Sequence, residues 1–157
     1  MCDGIAVGWR EFTDEQIADY ELDGRRVSRG DSTDPEFRFL YRDPHPQLPV
    51  WWNSRLIVCD WGNQFGQSKR LPKSGCLRLD ALEAGALGWM EPQPVDAPAC
   101  YGWQRGVWFP IRQGLRAVAV QDERGCPRVY LLIQSASHYY NVMTRSEWMP
   151  VLIDETI

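Results

Sequence analysis

Hydrophobic and polar positions are patterned most clearly in the last third of the chain, between residues 114 and 154. Leu115, Ala117 and Ala119 alternate with one charged and two β-branched residues, which is typical of a half-buried strand. Residues 129–133 are apolar on both faces, which favours a central position in a sheet. Residues 122–125 lie between them and end in glycine, as many tight turns do. The pattern therefore predicts strand, turn, strand.

A short helix and a returning strand are predicted to follow. Ser135 or Ser137 is placed to cap a helix whose apolar contacts come from Tyr139, Tyr140, Val142 and Met143. Residues 149–153, Met-Pro-Val-Leu-Ile, then predict another strand. Pro150 must lie at its start or at a sheet edge, because proline has no N–H to donate. We expect this third of the chain to supply most of the hydrophobic core.

The first half of the chain gives shorter signals. Residues 2–9 predict an early buried strand, and Thr13 with Gln16 matches a helix capping box. Residues 24–36 are polar and charged, so we expect a mobile loop there. Residues 50–62 predict a hairpin that turns at Asn53, a residue that tolerates the left-handed conformation.

The remaining segments complete a mixed pattern. It consists of a short helix over residues 79–84, an extended connector with three prolines over residues 91–98, and strand-like residues 100–111. We therefore expect residues 1–157 to form a single α+β domain, built on a curved, mostly antiparallel sheet with a few short helices.

Composition indicates an ordinary globular protein without a membrane segment. The chain has 157 residues, of which 44% are hydrophobic and 24% charged. No apolar run approaches the length of a bilayer span, and no basic-then-apolar leader is present. The five scattered cysteines do not resemble a disulfide framework. We expect a cytoplasmic protein with no membrane partner.

Charge and tryptophan content bear on the class of partner. A net charge of −4 argues against non-specific coating of nucleic acid. Residues 55–128 nevertheless hold ten basic and seven acidic side chains, which leaves open either a basic face or a solvated mixed surface. Eight tryptophans are unusual in a chain of this length, and surplus tryptophans occur at interfaces and stacking platforms as well as in cores.

Three short segments resemble one known family. They are Met1-Cys2 at the start, Trp61-Gly62, and the Met-Pro-Val-aliphatic run within residues 146–153, which follows Ser-Ala-Ser at residues 135–137. Together they resemble the SRAP family (SOS-response-associated peptidase, or abasic-site-processing, proteins). The resemblance implies an SRAP-like fold and a role in the DNA damage response, with single-stranded or abasic-site DNA as the partner.

The same resemblance implies a covalent chemistry for Cys2. Removal of Met1 would expose an α-amine, which titrates near pH 8, next to a thiol. Such a pair condenses with an aldehyde, first to an imine and then through sulfur to a thiazolidine, and a ring-opened abasic site presents an aldehyde. Cys2 would then form a DNA–protein cross-link. The other interpretation is that Cys2 is a small buried hydrophobic residue.

The residues that would supply acid–base catalysis match the family less well. In the family's Asn-Ala-Arg-x-Glu-Thr segment only the glutamate is retained, as Glu83. Phe109 stands where the resemblance expects a second glutamate, and Ser146 where it expects a histidine. His138 is the candidate substitute. Because imine chemistry needs a positioned proton carrier, both a cross-linking protein and a protein that only binds remain open.

A set of aromatic and basic residues is the candidate nucleic-acid contact. Trp51 and Trp52 are adjacent, so in a strand they face opposite ways and only one belongs to the core. The other, with Arg55, Arg78 and Arg105, suits stacking on bases and pairing with phosphates. Exposed tryptophan and arginine also anchor protein interfaces. The alternative is therefore a non-catalytic interaction protein, such as a phage or mobile-element accessory factor that binds a host protein.

Neither a cofactor nor a metal is expected. His45, His138 and the five cysteines lack the paired spacings of zinc sites. The sequence has no phosphate-binding loop, dinucleotide fingerprint or serine-nucleophile elbow.

Overall fold

The computed structural model describes residues 2–31 and 34–157, which form one small α+β domain dominated by strands. The strands are β1 Gly4–Gly8, β2 Arg26–Ser28, β3 Pro35–Leu40, β4 Gln47–Trp52, β5 Arg55–Trp61, β6 Cys76–Arg78, β7 Gln93–Ala97, β8 Tyr101–Gln104, β9 Val107–Pro110, β10 Leu115–Gln121, β11 Pro127–Ser135 and β12 Trp148–Pro150. The helices are α1 Asp14–Asp19, α2 Leu79–Glu83 and α3 His138–Thr144. The expected fold class, a curved and mostly antiparallel sheet with a few short helices, is confirmed.

The larger sheet closes on itself. Its order is β10-β7-β4-β5-β11-β12, and β10 pairs with β11 as well as with β7. The path from β10 through β7, β4 and β5 to β11 therefore returns to β10 as a small barrel. Closure removes the exposed edges at which an open sheet would pair with other chains.

Strand β11 is the centre of this barrel, as its continuous apolar run predicts. It pairs antiparallel with β10 and β12, and parallel with β5 and β6. Residues 128–133 are all buried. A strand with neighbours on both sides and packing on both faces needs apolar residues throughout, which explains the absence of alternation.

The smaller sheet has the order β2-β3-β1-β8-β9. Its inward face carries Ile5, Val7, Phe37 and Phe39, each fully buried. These side chains join one large core cluster with residues of the barrel strands. The first residues of the chain are thereby fixed between β3 and β8, which determines where Cys2 lies.

Several local predictions are confirmed. Thr13 and Gln16 form a complete capping box at α1. Ser137, rather than Ser135, caps α3 by accepting a hydrogen bond from the Tyr140 N–H. Asn53 and the residue after it both have positive φ at the β4–β5 turn.

Two local predictions are wrong. Residues 91–98 are not a free connector, because they contain β7, a barrel strand. Its one proline, Pro94, is tolerated because β7 has a full ladder only with β10 and a single pair with β4, Trp51 with Asp96. Residues 24–36 are not wholly a loop, since β2 within them pairs with β3.

No helix among residues 2–31 and 34–157 is both long enough and apolar enough to cross a bilayer.

Candidate active site around Cys2

Cys2 lies immediately before β1 and is held by the strands on either side. Its side chain is 1% exposed. The thiol donates to the Gly4 carbonyl at 3.1 Å and lies 3.8 Å from the Trp103 carbonyl oxygen. The backbone of Asp3 continues both ladders, because its N–H donates to the Trp103 carbonyl and its carbonyl accepts from the Tyr41 N–H. The chain start is therefore an ordered part of the smaller sheet.

Burial controls the protonation of the Cys2 thiol. Desolvation, together with a smaller contribution from the neighbouring Asp3 carboxylate, raises the pKa of Cys2 to about 11. Hydrogen bonding to Gly4 and Trp103 opposes this rise in part. The thiol is consequently protonated at neutral pH, and nucleophilic attack by sulfur requires a base or an opening of the site.

A second thiol lies beside the first. Cys76, in β6, is buried, and desolvation raises the pKa of its thiol, with a further contribution from Cys2. The two residues are far apart in sequence but close in space, since both belong to one core cluster and Cys2 acts on the pKa of Cys76. The structure thus joins two buried thiols in one cluster.

Tyrosine hydroxyls form the next part of this cluster. Tyr140, on α3, is fully buried, and its ring meets Phe109 edge-on at 5.3 Å. Desolvation raises the pKa of Tyr140, and the charged forms of Cys2 and Asp3 raise it further. Burial likewise raises the pKa of Tyr41 to about 12. Neither hydroxyl has a partner within hydrogen-bond distance among the described residues, although the nearby Thr144 side chain acts to lower the pKa of Tyr140.

Gln104 provides a third unpartnered polar atom. It is 3% exposed and donates from Nε2 to Asp3 Oδ2 at 3.2 Å, while its Oε1 has no partner among the described residues. Buried polar atoms are nearly always satisfied in folded proteins, by protein groups or by ordered water, so these three atoms are open to a further partner. We define the Cys2 cluster as Cys2, Asp3, Tyr41, Cys76, Gln104 and Tyr140.

Neither predicted acid–base residue contacts Cys2. Glu83 is exposed at the end of α2, whose leucines pack on a separate core cluster that does not include Cys2. His138 is exposed at the first position of α3, two residues before the inward-facing Tyr140. Within residues 2–31 and 34–157, neither side chain hydrogen-bonds to the thiol.

Phe109 and Ser146 stand where the resemblance expects a glutamate and a histidine, and they serve packing and turn geometry instead. Phe109 is buried against Gly102, where a Cβ would lie 2.4 Å from its ring. Ser146 is buried and its Oγ donates to the Trp148 carbonyl at 2.8 Å. These contacts explain why a phenylalanine and a serine suit the fold here.

The predicted nucleic-acid residues fall into two groups. Trp51 and Trp52 do face opposite ways, and Trp51 is the more exposed, at 41%. It lines a hollow of about 400 Å³ with Asp96 and Arg112, whereas Trp52 lines another with Arg70. Arg55 is exposed opposite Trp52 at the hairpin end.

Arg78 and Arg105 lie elsewhere, on the side of the Cys2 cluster. Arg78 is the last residue of β6, pairs with Asp80 and lies 4.7 Å from the Trp148 ring centre. The backbone N–H of Arg105 reaches Asp3 Oδ2 at 3.4 Å, and its Nη1 donates to the Arg145 carbonyl at 2.7 Å. The hairpin group and this pair therefore do not form one contact surface.

Sequence reasoning missed Asp3, Cys76, Gln104 and Tyr140. One signal was present, because Gln104 lies at an inward position of β8, in line with the buried Gly102. A polar residue at an inward position of a strand indicates a polar site in the interior. The meeting of these residues with Cys2 had no local signal.

No group of three or more potential metal-ligating side chains is found within the described parts of the chain. Comparison of the chain with protein-family models, curated proteins and solved structures finds no match.

Proposed function

We propose that this is an SRAP-like protein that binds single-stranded or abasic-site DNA and cross-links to it through Cys2. The observation that carries the proposal is the Cys2 cluster, in which a thiol at the start of the chain lies among three buried polar atoms without partners. The resemblance at the two ends of the chain supplies the class of chemistry.

The proposed reaction starts from Cys2 after removal of Met1, a residue outside the described part of the chain. The α-amine of Cys2 adds to the aldehyde of a ring-opened abasic site and water leaves, which gives an imine. The thiol then adds to the imine carbon, and its proton is transferred to the nitrogen to close a thiazolidine. No oxidant or reductant is needed.

Residues of the cluster suit the proton transfers better than the predicted Glu83 and His138 do. Asp3 is the adjacent carboxylate and is only partly buried, so it is in contact with solvent. The Tyr140 hydroxyl can donate to the sugar oxygen or the imine nitrogen, and Gln104 Oε1 can accept from a sugar hydroxyl or a protonated imine. A general acid or base must lie within hydrogen-bond reach of the proton that it moves, and Asp3, next to Cys2 and hydrogen-bonded to Gln104, is the group best placed for this.

A cross-linking assay tests the proposal. Intact mass spectrometry first establishes that Met1 is absent, and the protein is then incubated with a single-stranded oligonucleotide that carries one abasic site. We expect a covalent band on a denaturing gel that is lost in Cys2→Ala and retained in Cys126→Ser, which removes an exposed thiol instead. Absence of the band from a Met1-free sample would refute the covalent step.

One observation favours the second candidate function, a non-catalytic interaction protein. Cys2 is buried with a raised pKa, as a structural cysteine would be, and α3 exposes Tyr139 and Val142 by 66% and 65%. These two side chains are one helical turn apart and present an apolar patch of the kind that binds proteins. Under this function, neither the unmodified protein nor Cys2→Ala cross-links to DNA. Tyr139→Ser combined with Val142→Ser abolishes binding to a protein partner.

A further inference from the structure

The outward face of the smaller sheet has an unusual composition. On this face its central strand, β1, carries only Gly4, Ala6 and Gly8, and larger neighbouring side chains cover Gly4 and Ala6, which are buried. The register places Trp103 beside Gly4, and Tyr101 beside Ala6. The small residues thus let larger side chains, with aromatic rings along one side, close over the centre of the sheet.

Two arginines, Arg29 just after β2 and Arg38 in β3, lie on those rings. The guanidinium of Arg29 is 3.9 Å from the Tyr101 ring centre and 4.7 Å from that of Trp108. Arg38 lies 4.8 Å from the Trp108 ring centre, and Trp103 is 6.1 Å from Trp108. We call these five residues, Arg29, Arg38, Tyr101, Trp103 and Trp108, the stacking ladder. All five are partly exposed.

The ladder carries an excess of positive charge. Glu36 is buried and accepts from Arg29 through both carboxylate oxygens, at 3.0 and 2.8 Å, and from Arg38 at 3.0 Å. Two guanidinium groups therefore share one carboxylate. This local excess stands out on a chain whose net charge is −4. A local positive charge favours a polyanionic partner, whereas the rest of an acidic surface attracts cations.

A hollow of about 350 Å³ lies beside this surface at the Gly8 end. Its lining includes Trp9 and Tyr101, and two arginines that each pair with a carboxylate in the same lining, Arg10 with Asp34 and Arg29 with Glu36. The indole Nε1 of Trp9 is buried and has no acceptor among the described residues. An aromatic hollow with an unused donor and balanced charge matches a base rather than its phosphate.

We propose that the stacking ladder and this hollow form the track for single-stranded DNA, with the strand lying over the ladder side chains that cover β1. The identity of the ligand rests on the proposed function; the position of the track rests on the sheet face alone. Bases stack on aromatic rings and on guanidinium planes, and arginines neutralise the backbone. β1 is five residues long, or about 17 Å, which accommodates two to three nucleotides.

The track leads to the Cys2 cluster. Trp103 belongs to the ladder, and its carbonyl oxygen receives both the Cys2 thiol and the Asp3 N–H. A strand that stacks on Trp103 therefore places its next nucleotide at the chain start. The hairpin group at Trp51, Trp52 and Arg55 is not needed for this path.

Fluorescence anisotropy with an undamaged, labelled deoxythymidine oligomer of about 15 nucleotides tests the track, since single-strand sites span about 4–16 nucleotides. We expect Trp108→Ala to weaken binding by about tenfold, the loss of one stacked base. Arg38→Gln should weaken it less and lower the salt dependence by about one released ion.

Matched variants outside the track serve as controls. Trp89→Ala removes a tryptophan that is 52% exposed, and Arg116→Gln removes an exposed arginine on the barrel strand β10. Both should bind as the unmodified protein does. Trp108→Phe, which keeps an aromatic ring, should retain most of the affinity and guards against a folding defect in Trp108→Ala. If Trp108→Ala does not fold, the double variant Trp103→Ala with Arg38→Gln replaces it in the same binding assay.

Equal affinity of the ladder and control variants would overturn the track, and so would equal competition by poly-glutamate, which would indicate a general anion surface. The abasic-site assay separates this failure from failure of the proposed function. A cross-link that persists at full rate in Trp108→Ala refutes the track alone. Ladder-dependent binding of undamaged DNA without any cross-link refutes the Cys2 chemistry alone.

Discussion

Gln104 donates a hydrogen bond from Nε2 to Asp3 Oδ2 across 3.2 Å, although the two residues are 101 positions apart in the chain. The bond joins the end of β8 to the residue that follows Cys2. It leaves Gln104 Oε1 unpartnered inside the cluster, in the part of the chain that the structure describes. The polar character of the Cys2 cluster thus depends on a contact between the chain start and a hairpin in its second half.

Gln104→Glu tests this relationship. The change places a second carboxylate next to that of Asp3, so we expect a loss of about 2 kcal/mol in the free energy of unfolding at neutral pH. The pKa of the introduced group is raised by burial and repulsion, so stability recovers as the pH falls through that pKa. Urea unfolding at several pH values measures the effect. Gln104→Leu is the control, and a pH-dependent loss in Gln104→Leu as well would contradict the explanation.

Tyr140→Phe separates a structural from a chemical role of the hydroxyl. Because this hydroxyl has no partner among the described residues, its removal should change the free energy of unfolding by less than about 1 kcal/mol. Cross-linking to abasic DNA should nevertheless slow. Tyr130→Phe is the matched control, since the Tyr130 hydroxyl donates to the Pro72 carbonyl at 2.9 Å and its loss should cost about 1 kcal/mol without slowing cross-linking. Unchanged cross-linking in Tyr140→Phe would remove that hydroxyl from the mechanism.

The buried thiols predict a loss of stability in alkali. Burial raises the pKa of Cys2 and of Cys59 to about 11 each, above the value of an exposed thiol. A raised pKa means that the folded state retains its proton longer than the unfolded state. The stabilisation is therefore complete below about pH 9 and is lost as the pH rises towards 11, by about 2–3 kcal/mol for Cys2.

Urea unfolding at pH 7, 9 and 10 measures this loss, and Cys2→Ala should reduce its slope. Labelling with iodoacetamide at pH 8 gives an independent check, because the exposed Cys126 should react long before Cys2. Rapid labelling of Cys2 in the folded protein would show that the thiol is accessible and contradict both expectations.

Asp122→Asn is expected to destabilise the barrel strongly. Desolvation acts to raise the pKa of Asp122, but hydrogen bonds from the Cys126 and Arg124 N–H groups and from Arg128 outweigh it and hold the pKa below its ordinary value. Removal of this charge leaves the Arg128 guanidinium, whose side chain is 6% exposed, without its carboxylate. We expect a loss of about 3 kcal/mol in the free energy of unfolding.

The control for this prediction is Asp23→Asn, because Asp23 pairs with Arg26 on the surface and is 78% exposed. Its loss should cost less than about 1 kcal/mol. The lowered pKa of Asp122 also predicts the direction in which stability changes in acid. The stabilisation by Asp122 is present above the pKa of an unfolded aspartate and is lost as the pH falls below it. A flat acid profile in the range from pH 5 to about 2 would contradict this assignment.

Gly62→Ala tests the close approach of two backbone segments. Gly62 has a φ of 63°, and a Cβ there would lie 2.2 Å from the Ser74 carbonyl oxygen. We expect a loss of about 2–5 kcal/mol, from left-handed strain and overpacking together. Gly125→Ala is the control, since its φ is 77° but its Cβ would meet nothing within 4 Å, so only the strain of about 1 kcal/mol applies. Equal losses in the two variants, measured by thermal unfolding, would show that the close approach of Gly62 to Ser74 does not add to the loss of stability.

Local interactions explain what the sequence by itself determined. The capping box of Thr13 and Gln16, the turn at Asn53 and the buried strand β11 each depend on residues close together in the chain or on one uninterrupted pattern. Such features carry their own physical signal, so the α+β class and most elements could be predicted. The strand within residues 91–98 could not be predicted, because the prolines there indicate a connector. A proline fits a strand only where the neighbouring strand does not need its missing N–H.

Only the tertiary structure decided which side chains surround Cys2. Alternation along β8 shows that Gln104 faces inward, and the helix cap shows where α3 begins, but neither identifies the neighbour across the core. That choice depends on how the smaller sheet closes over the barrel, a long-range packing of apolar faces in which no single residue pair is recognisable beforehand. Tyr140 rather than His138 consequently faces Cys2, since the buried side of α3 is set by its packing on Phe109.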